Sequence, residues 1–231
     1  MLMSGQVIAI DGPAASGKST VARRVASALG WVYVDSGALY RAVAWKALKS
    51  GVYLEDAEAV RRIAENLKPE FDVRDGAVVF WIDGIEPGLE LRTERVNANV
   101  SRVAALPAVR ERVGRWLRSL TRFGNLVMEG RDIGTAVFPD AERKFYLDAS
   151  PEVRAKRRHA EILALDRKAS EQQVGESLRK RDLVDSTRAA APLKAAPDAV
   201  VIDTTALSID DVVKTVLAYA GGKGRRKNGK G

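Results

Sequence analysis

Apolar residues along the chain fall into two patterns, short continuous runs and longer stretches at helical spacing, and the two alternate. "QVIAIDG" (6–12) is a run rich in β-branched residues, as expected of a strand covered on both faces. A Gly-Pro turn follows, then "KSTVARRVASALG", with Val21, Val25 and Leu29 on one helical face and Gly30 as the stop. "WVYVDS" (31–36) is a second strand, so a βαβ unit and hence a parallel sheet is predicted. The strand pattern returns at "NLVMEG" (125–130), "RKFYLDA" (143–149) and "DAVVIDT" (198–204). A closing helix carries Ile209, Val212, Val213, Val216 and Leu217 on one face. Five parallel strands with helices on both faces are predicted.

Two segments break this rhythm. Between residues 37 and 110 lies "FDVRDGAVVFWIDG", two strand-like runs flanking an Asp75-Gly76 turn, which predicts a hairpin. Helical stretches flank it, the later one interrupted at Pro107. The second break, residues 150–188, is helical in period, strongly charged and poor in large apolar residues, the profile of a mobile cover. The predicted organisation is a core of 1–36, 111–150 and 189–220, an insert at 37–110, a lid at 151–188 and a disordered basic tail at 221–231.

Candidate chemistry begins at "GPAASGKS" (12–19), which fits G-x-x-x-x-G-K-[ST] and sits where that motif must, after a strand and opening a helix. Gly12 and Gly17 let the backbone wrap phosphate oxygens, with Pro13, Ala14, Ala15 and Ser16 between them. The helix N-terminus favours the anion. Lys18 reaches the β- and γ-phosphates, and Ser19, followed by Thr20, offers a hydroxyl to Mg²⁺. Nucleoside triphosphate binding follows, but not the identity of the acceptor. No N-K-x-D base motif or hydrolysis switch is present.

Arginines near strand ends supply the other half. Ser36 and Gly37 close the second strand, and Arg41 lies one turn into the next helix, either solvated or turned to a ligand. "EGRD" places Arg131 and Asp132 at another strand end, with Gly130 letting the chain turn sharply. A monophosphate acceptor needs paired planar cations to hold it in line with the donor. In the charged cover, Arg154, Arg157, Arg158 and Glu161 share one face, either a solvated one or one that closes over the transferring phosphate. Arg181, Asp185 and Arg188 repeat that spacing, which also admits a plain Arg181–Asp185 salt bridge.

Composition narrows the classes. Of 231 residues 46% are hydrophobic, so the chain packs a core, and with no cysteine and one histidine neither disulfides nor thiolate or His-cluster zinc sites are available. No apolar run is long enough for a membrane span, and nothing reads as a signal peptide, so a cytoplasmic protein is expected. The net charge of +8 falls to +3 without the last nine residues, which carry five positive charges and no acid. Nucleic-acid binding by the body of the protein is therefore disfavoured. Trp31, Trp45, Trp81 and Trp116 are scattered and read as packing residues, and His159 as a surface residue.

From residue 6 to about 220 the chain resembles the bacterial cytidylate kinase family, through "IDGPAASGKST", "DSGALYR", "VSRVAALPAVRE", "EGRDIGTAVFPDA", "KFYLDAS", "DSTRAAAPL" and "VVIDTTALSIDDVV". The resemblance implies a P-loop NTPase-type α/β core with sheet order 2-3-1-4-5, an insert with antiparallel strands that binds the monophosphate, and a helical lid. It implies transfer of the ATP γ-phosphate to CMP or dCMP with Mg²⁺, by a monomer. By position it implies Ser36, Arg41 and Arg131 around the acceptor phosphate, with Arg188 at the phosphates. Ser101, Arg110 and Asp132 would read the base, and Arg181 and Asp185 would hold the ribose. Arg154, Arg157 and Arg158 would belong to the lid. The family often carries Asp where this chain has Glu129, which stays open between a metal acid acting through water and a support for its neighbours. Kinases acting on UMP, dTMP or shikimate, and a basic nucleic-acid-binding protein with a nucleotide site, are the alternatives.

Overall fold

The computed structural model describes residues 5–164 and 168–221. The predicted basic tail lies outside the described residues, apart from Gly221, which ends the last helix. Strands β1 (Val7–Asp11), β2 (Val32–Asp35), β3 (Pro69–Arg74), β4 (Ala77–Ile82), β5 (Leu126–Gly130), β6 (Arg143–Asp148) and β7 (Val200–Asp203) form one sheet of order β3-β4-β2-β5-β1-β6-β7. The sequence pattern predicts five parallel strands and a hairpin; all seven strands lie in one sheet, every pair parallel except the β3–β4 hairpin. The hairpin is not a separate sheet. It joins the edge of β2 at one point, Tyr33 opposite Ala77.

Alternation along the strands divides the core in two. Val7, Ala9, Val34, Leu126 and Met128 turn to one face, under α2 (Ser36–Lys49), α3 (Ala57–Asn66), α4 (Glu94–Ala105) and α5 (Pro107–Ser119). Ile8, Ile10, Val127, Phe145, Leu147 and Ile202 turn to the other, under α1 (Lys18–Leu29) and α8 (Ile209–Gly221). Each large side chain buried this way contributes about 1.5–3 kcal/mol over an exposed one, which makes the two-sided sheet the stable part of the molecule.

The helix boundaries follow their residues. Gly30 closes α1 in the left-handed conformation, and its N–H bonds back into the helix. Asp35 caps α2 by accepting from Ala38 N, and Pro107, as the first residue of α5, separates it from α4. In the charged segment, α6 (Pro151–Leu163) is capped by Ser150, and α7 (Glu171–Thr187) opens with a Ser170–Gln173 capping box. Only Val174 and Leu178 of α7 join an apolar cluster, a small one with Ala14. His159, expected at the surface, is half-buried, with Nε2 2.8 Å from Ala169 O across the α6–α7 connection. Trp45 and Trp116 are buried packing residues. Among the described residues no helix is long and apolar enough to cross a membrane.

Candidate active site

Parallel strands deliver their C-terminal ends to one edge of the sheet, and β1, β2, β6 and β7 all end there on aspartate. At the end of β1 the chain wraps through Gly12 (φ 146°), Ala15 (φ 60°) and Gly17 (φ 92°) before entering α1. Gly12 has no alternative, because a Cβ there would stand 2.0 Å from the Leu147 carbonyl oxygen. Lys18, the first residue of α1, is buried and donates from Nζ to Pro13 O at 2.6 Å. Burial, together with the nearby Arg131 guanidinium, brings its pKa down to about 7. The wrap is braced from outside. Arg154 donates to Ala14 O (3.3 Å), and Thr204 Oγ1 lies 3.1 Å from Ser16 O and 2.9 Å from Asp148 O.

Beside the wrap, Ser19 Oγ donates to Glu129 Oε1 at 2.5 Å, and the Tyr33 hydroxyl donates to the same oxygen at 3.2 Å. Burial and the Glu129 charge push the Tyr33 hydroxyl well above its usual pKa, so it remains a donor. Among the described residues no three His, Cys, Asp or Glu side chains cluster to hold a metal by themselves. A hydroxyl and a carboxylate beside a phosphate-binding turn do fit Mg²⁺, which takes few protein oxygens and completes its shell with phosphates and water.

Opposing charges are matched on the β5 side. Asp132 is 3% exposed, with Oδ2 on Arg110 and Oδ1 3.3 Å from Arg188 Nη2. Arg110 is anchored in turn on Ala104 O at 3.0 Å and stacks near the Tyr40 ring. Arg131 Nε donates to Asp185 Oδ2 at 3.1 Å, and Asp185 also faces Arg188 at 3.9 Å. Asp185 thus pairs with Arg131 and Arg188, not with Arg181, its neighbour one turn back. Arg181 lines the same cavity, its Nε buried without a hydrogen-bond partner, and burial and Arg131 pull its pKa down to about 10. Gly130 is a strand residue without positive φ, so the sharp-turn reading is wrong. Its need is room: a Cβ would sit 2.6 Å from Ser36 Oγ.

One cavity collects Ala14, Ala15, Gly17, Lys18, Ser19 and Thr20 with Ser36, Arg41, Ser101, Glu129, Arg131, Asp132, Arg158, Arg181, Asp185 and Arg188. Arg41 reaches Asp35 at 3.6 Å. The three arginines of α6 do not share a target. Arg158 lines the cavity, paired with Glu161 at 2.8 Å. Arg154 is buried against Ala149 O, Ala14 O and Asp182, and Arg157 turns to Thr204 O at 2.7 Å. Helical spacing gave them one face without saying that the face is filled. Arg110, too, stands behind Asp132 and not on the cavity wall. Missed altogether were Asp11, Tyr33, Asp35, Arg92 and Thr204. Asp35 N-caps α2 and pairs with Arg92 at 3.3 Å, and Asp11 accepts from Ile133 N and Gly134 N, both at 2.8 Å. Burial pushes the Asp11 carboxyl up to about 6. For Asp11 and Asp35 the only sequence signal is position, an acid as the last residue of a strand run.

Known proteins are similar to this chain in sequence over nearly its whole length. The cytidylate kinase of Shouchella clausii strain KSM-K16 is 45% identical over 217 residues, 94% of this chain and 96% of its own. That of Pelotomaculum thermopropionicum is 46% identical over 224 residues, 95% and 97% of the two chains. That of Geobacillus kaustophilus strain HTA426 is 45% identical over 210 residues, 91% and 94%. The family model described as cytidylate kinase matches residues 8–221, and the chain belongs to the cytidylate kinase family.

Proposed function

We propose that the protein transfers the γ-phosphate of ATP to CMP or dCMP, giving ADP and CDP or dCDP. The observation that carries this reading is the company of Asp132. It is a carboxylate held between two arginines, next to Arg131, in the cavity that the phosphate-binding turn also lines. Cytosine offers an amino donor where uracil offers a carbonyl acceptor, and a carboxylate pairs with the first and repels the second.

On this reading the backbone N–H groups of residues 14–19 hold the donor phosphates, and Lys18 exchanges its bond to Pro13 O for a phosphate oxygen. Ser19, with Glu129 beside it, would hold Mg²⁺, which would supply neutralisation of phosphate charge. Ser36, Arg41, Arg131 and Arg188 grip the acceptor phosphate, Arg181 and Asp185 the ribose, and Ser101 and Asp132 the base, with Arg110 holding Asp132 from behind. The acceptor phosphate is already nucleophilic, so transfer is in line with no covalent enzyme intermediate and no strong base. Positioning and charge stabilisation supply the rate. The segment 37–110 serves the acceptor, and α6–α7 is the lid. Val174 and Leu178 rest on Ala14, Arg154 and Arg157 anchor its base, and Arg158 faces the transferring group.

A panel of CMP, dCMP, UMP, dTMP and shikimate with ATP and Mg²⁺ tests the reading, with turnover expected on CMP and dCMP. Lys18→Ala is expected to lower kcat by about 10²–10³-fold, the scale for losing one charge-stabilising donor. A wild-type-like rate in a folded Lys18→Ala variant would remove the assignment.

A further inference from the structure

Asp11 is the last residue of β1, and the phosphate-binding turn begins at the next position. Its backbone is in register with Gly130, where the β1–β5 ladder ends. Beyond Gly130 the chain carries Arg131 and Asp132 and then enters a short π-helical turn, Ile133–Val137. That turn bonds Ala136 N and Val137 N to Asp132 O and Phe138 N to Ile133 O. Its first amides have no carbonyl behind them, the usual deficit of a helix start. Asp11 fills it, one carboxylate oxygen accepting from Ile133 N and the other from Gly134 N, each at 2.8 Å.

Two features separate this carboxylate from an ordinary cap. It reaches from a residue 122 positions earlier, so the bond is tertiary and joins two strand ends. It is also 4% exposed and stands off the cavity wall, so in this arrangement it does not touch a ligand. A buried carboxylate without a bonded cation is costly, and two amide donors aligned on its two oxygens are what make it tolerable. The same two bonds leave little play between the start of the donor turn at Gly12 and the pair Arg131–Asp132, one and two residues before the held amides.

We infer that Asp11 is a positioning residue for phosphoryl transfer, fixing the acceptor-side turn against the donor-side turn so that the two phosphates meet in line. The inference rests on the kinase reading above. It predicts a particular split of constants, because the donor turn keeps its own geometry while its alignment with Arg131 and Asp132 is lost.

Asp11→Asn is isosteric, but its amide can accept from only one of the two N–H groups and turns a donor toward the other. Measured well below its unfolding midpoint, it is expected to keep ATP affinity within about twofold. Its kcat on CMP should fall by about 10²-fold, the scale for misplacing reacting groups by an ångström. Its preference for CMP over UMP should narrow, because Asp132 moves with the turn. A variant with a lowered midpoint but wild-type kcat and preference would overturn the inference and leave Asp11 a purely structural cap. Parallel loss of ATP binding would also overturn it, by showing damage to the donor turn itself. If Asp11→Asn does not fold, Asp11→Glu keeps the carboxylate, displaces it by one methylene, and is held to the same split. A wild-type protein inactive on CMP would instead strike the kinase reading, a result independent of either variant.

Discussion

Asp132 is held by two arginines at once, and this decides how its removal will act. Truncating one member of a buried charged cluster leaves the others uncompensated, which costs more than the lost contact. Asp132→Ala therefore leaves Arg110 and Arg188 facing each other without their anion. Stability should fall by about 3–5 kcal/mol, and the kcat/KM preference for CMP over UMP should contract. An unchanged preference in the folded variant would show that the base is read elsewhere. Lys18 permits a test that needs no substitution. With its pKa lowered from 10.5 to about 7 by burial, it is largely neutral in mildly alkaline solution. Phosphate oxygens against Nζ favour the ammonium and raise the pKa again, so ATP binding near pH 8 takes up protons. The uptake shrinks as pH falls below about 7, where the free enzyme is already protonated. Calorimetry in buffers of different ionisation enthalpy reads this directly, and a buffer-independent enthalpy would refute it. At this scale the sequence was legible where a motif names the atom, as at Lys18 and Arg131. It was silent where a residue acts through backbone amides across the fold, as at Asp11, because nothing local marks the partner.

Elements were legible in proportion to how fully they are buried. β1, β5 and β6 are continuous apolar runs because helices cover both their faces, and they were found at nearly their true ends. The hairpin was found too, but not its place in the main sheet. β3 alternates between exposed and half-buried residues, as any surface hairpin does, and its docking depends on the distant β2 edge. The charged pair α6–α7 was legible as helices, but not in where each of its arginines turns. Its period suggested a basic face for substrate, yet Arg154 and Arg157 spend their donors on the backbone around the phosphate turn. The apolar part of what holds α7 is small, Val174 and Leu178 on Ala14, beside the ion pairs of Asp182 with Arg154 and of Asp185 with Arg131. Leu178→Ala is expected to lower the local opening free energy of α7 by about 2 kcal/mol, at the low end of a Leu truncation. Amide exchange in 171–187 should quicken while β1 and β5 keep their protection. Equal acceleration in those strands would mean that α7 unfolds only with the whole molecule.

Taken whole, the molecule gathers its acids and arginines at one end of the sheet and pairs them largely with each other, leaving seven basic against five acidic side chains on the cavity lining. Much of the chain's excess positive charge belongs to the last nine residues. The sheet itself is not uniformly bound. Five register pairs join β1 to β5 and four join β2 to β5, whereas β4 meets β2 only where Tyr33 faces Ala77, supported by Tyr33 N donating to Gly76 O at 2.8 Å. The five inner strands are joined by full ladders, whereas the hairpin is held by Phe80 and Ile82 packed into the core and by a single backbone pairing at residue 33. The phenol of that same residue is bonded to Glu129, the acid beside Ser19. One side chain thus serves both the joint of the hairpin with the sheet and the carboxylate beside Ser19, so the two ends of this linkage are connected through three bonded residues, Tyr33, Glu129 and Ser19.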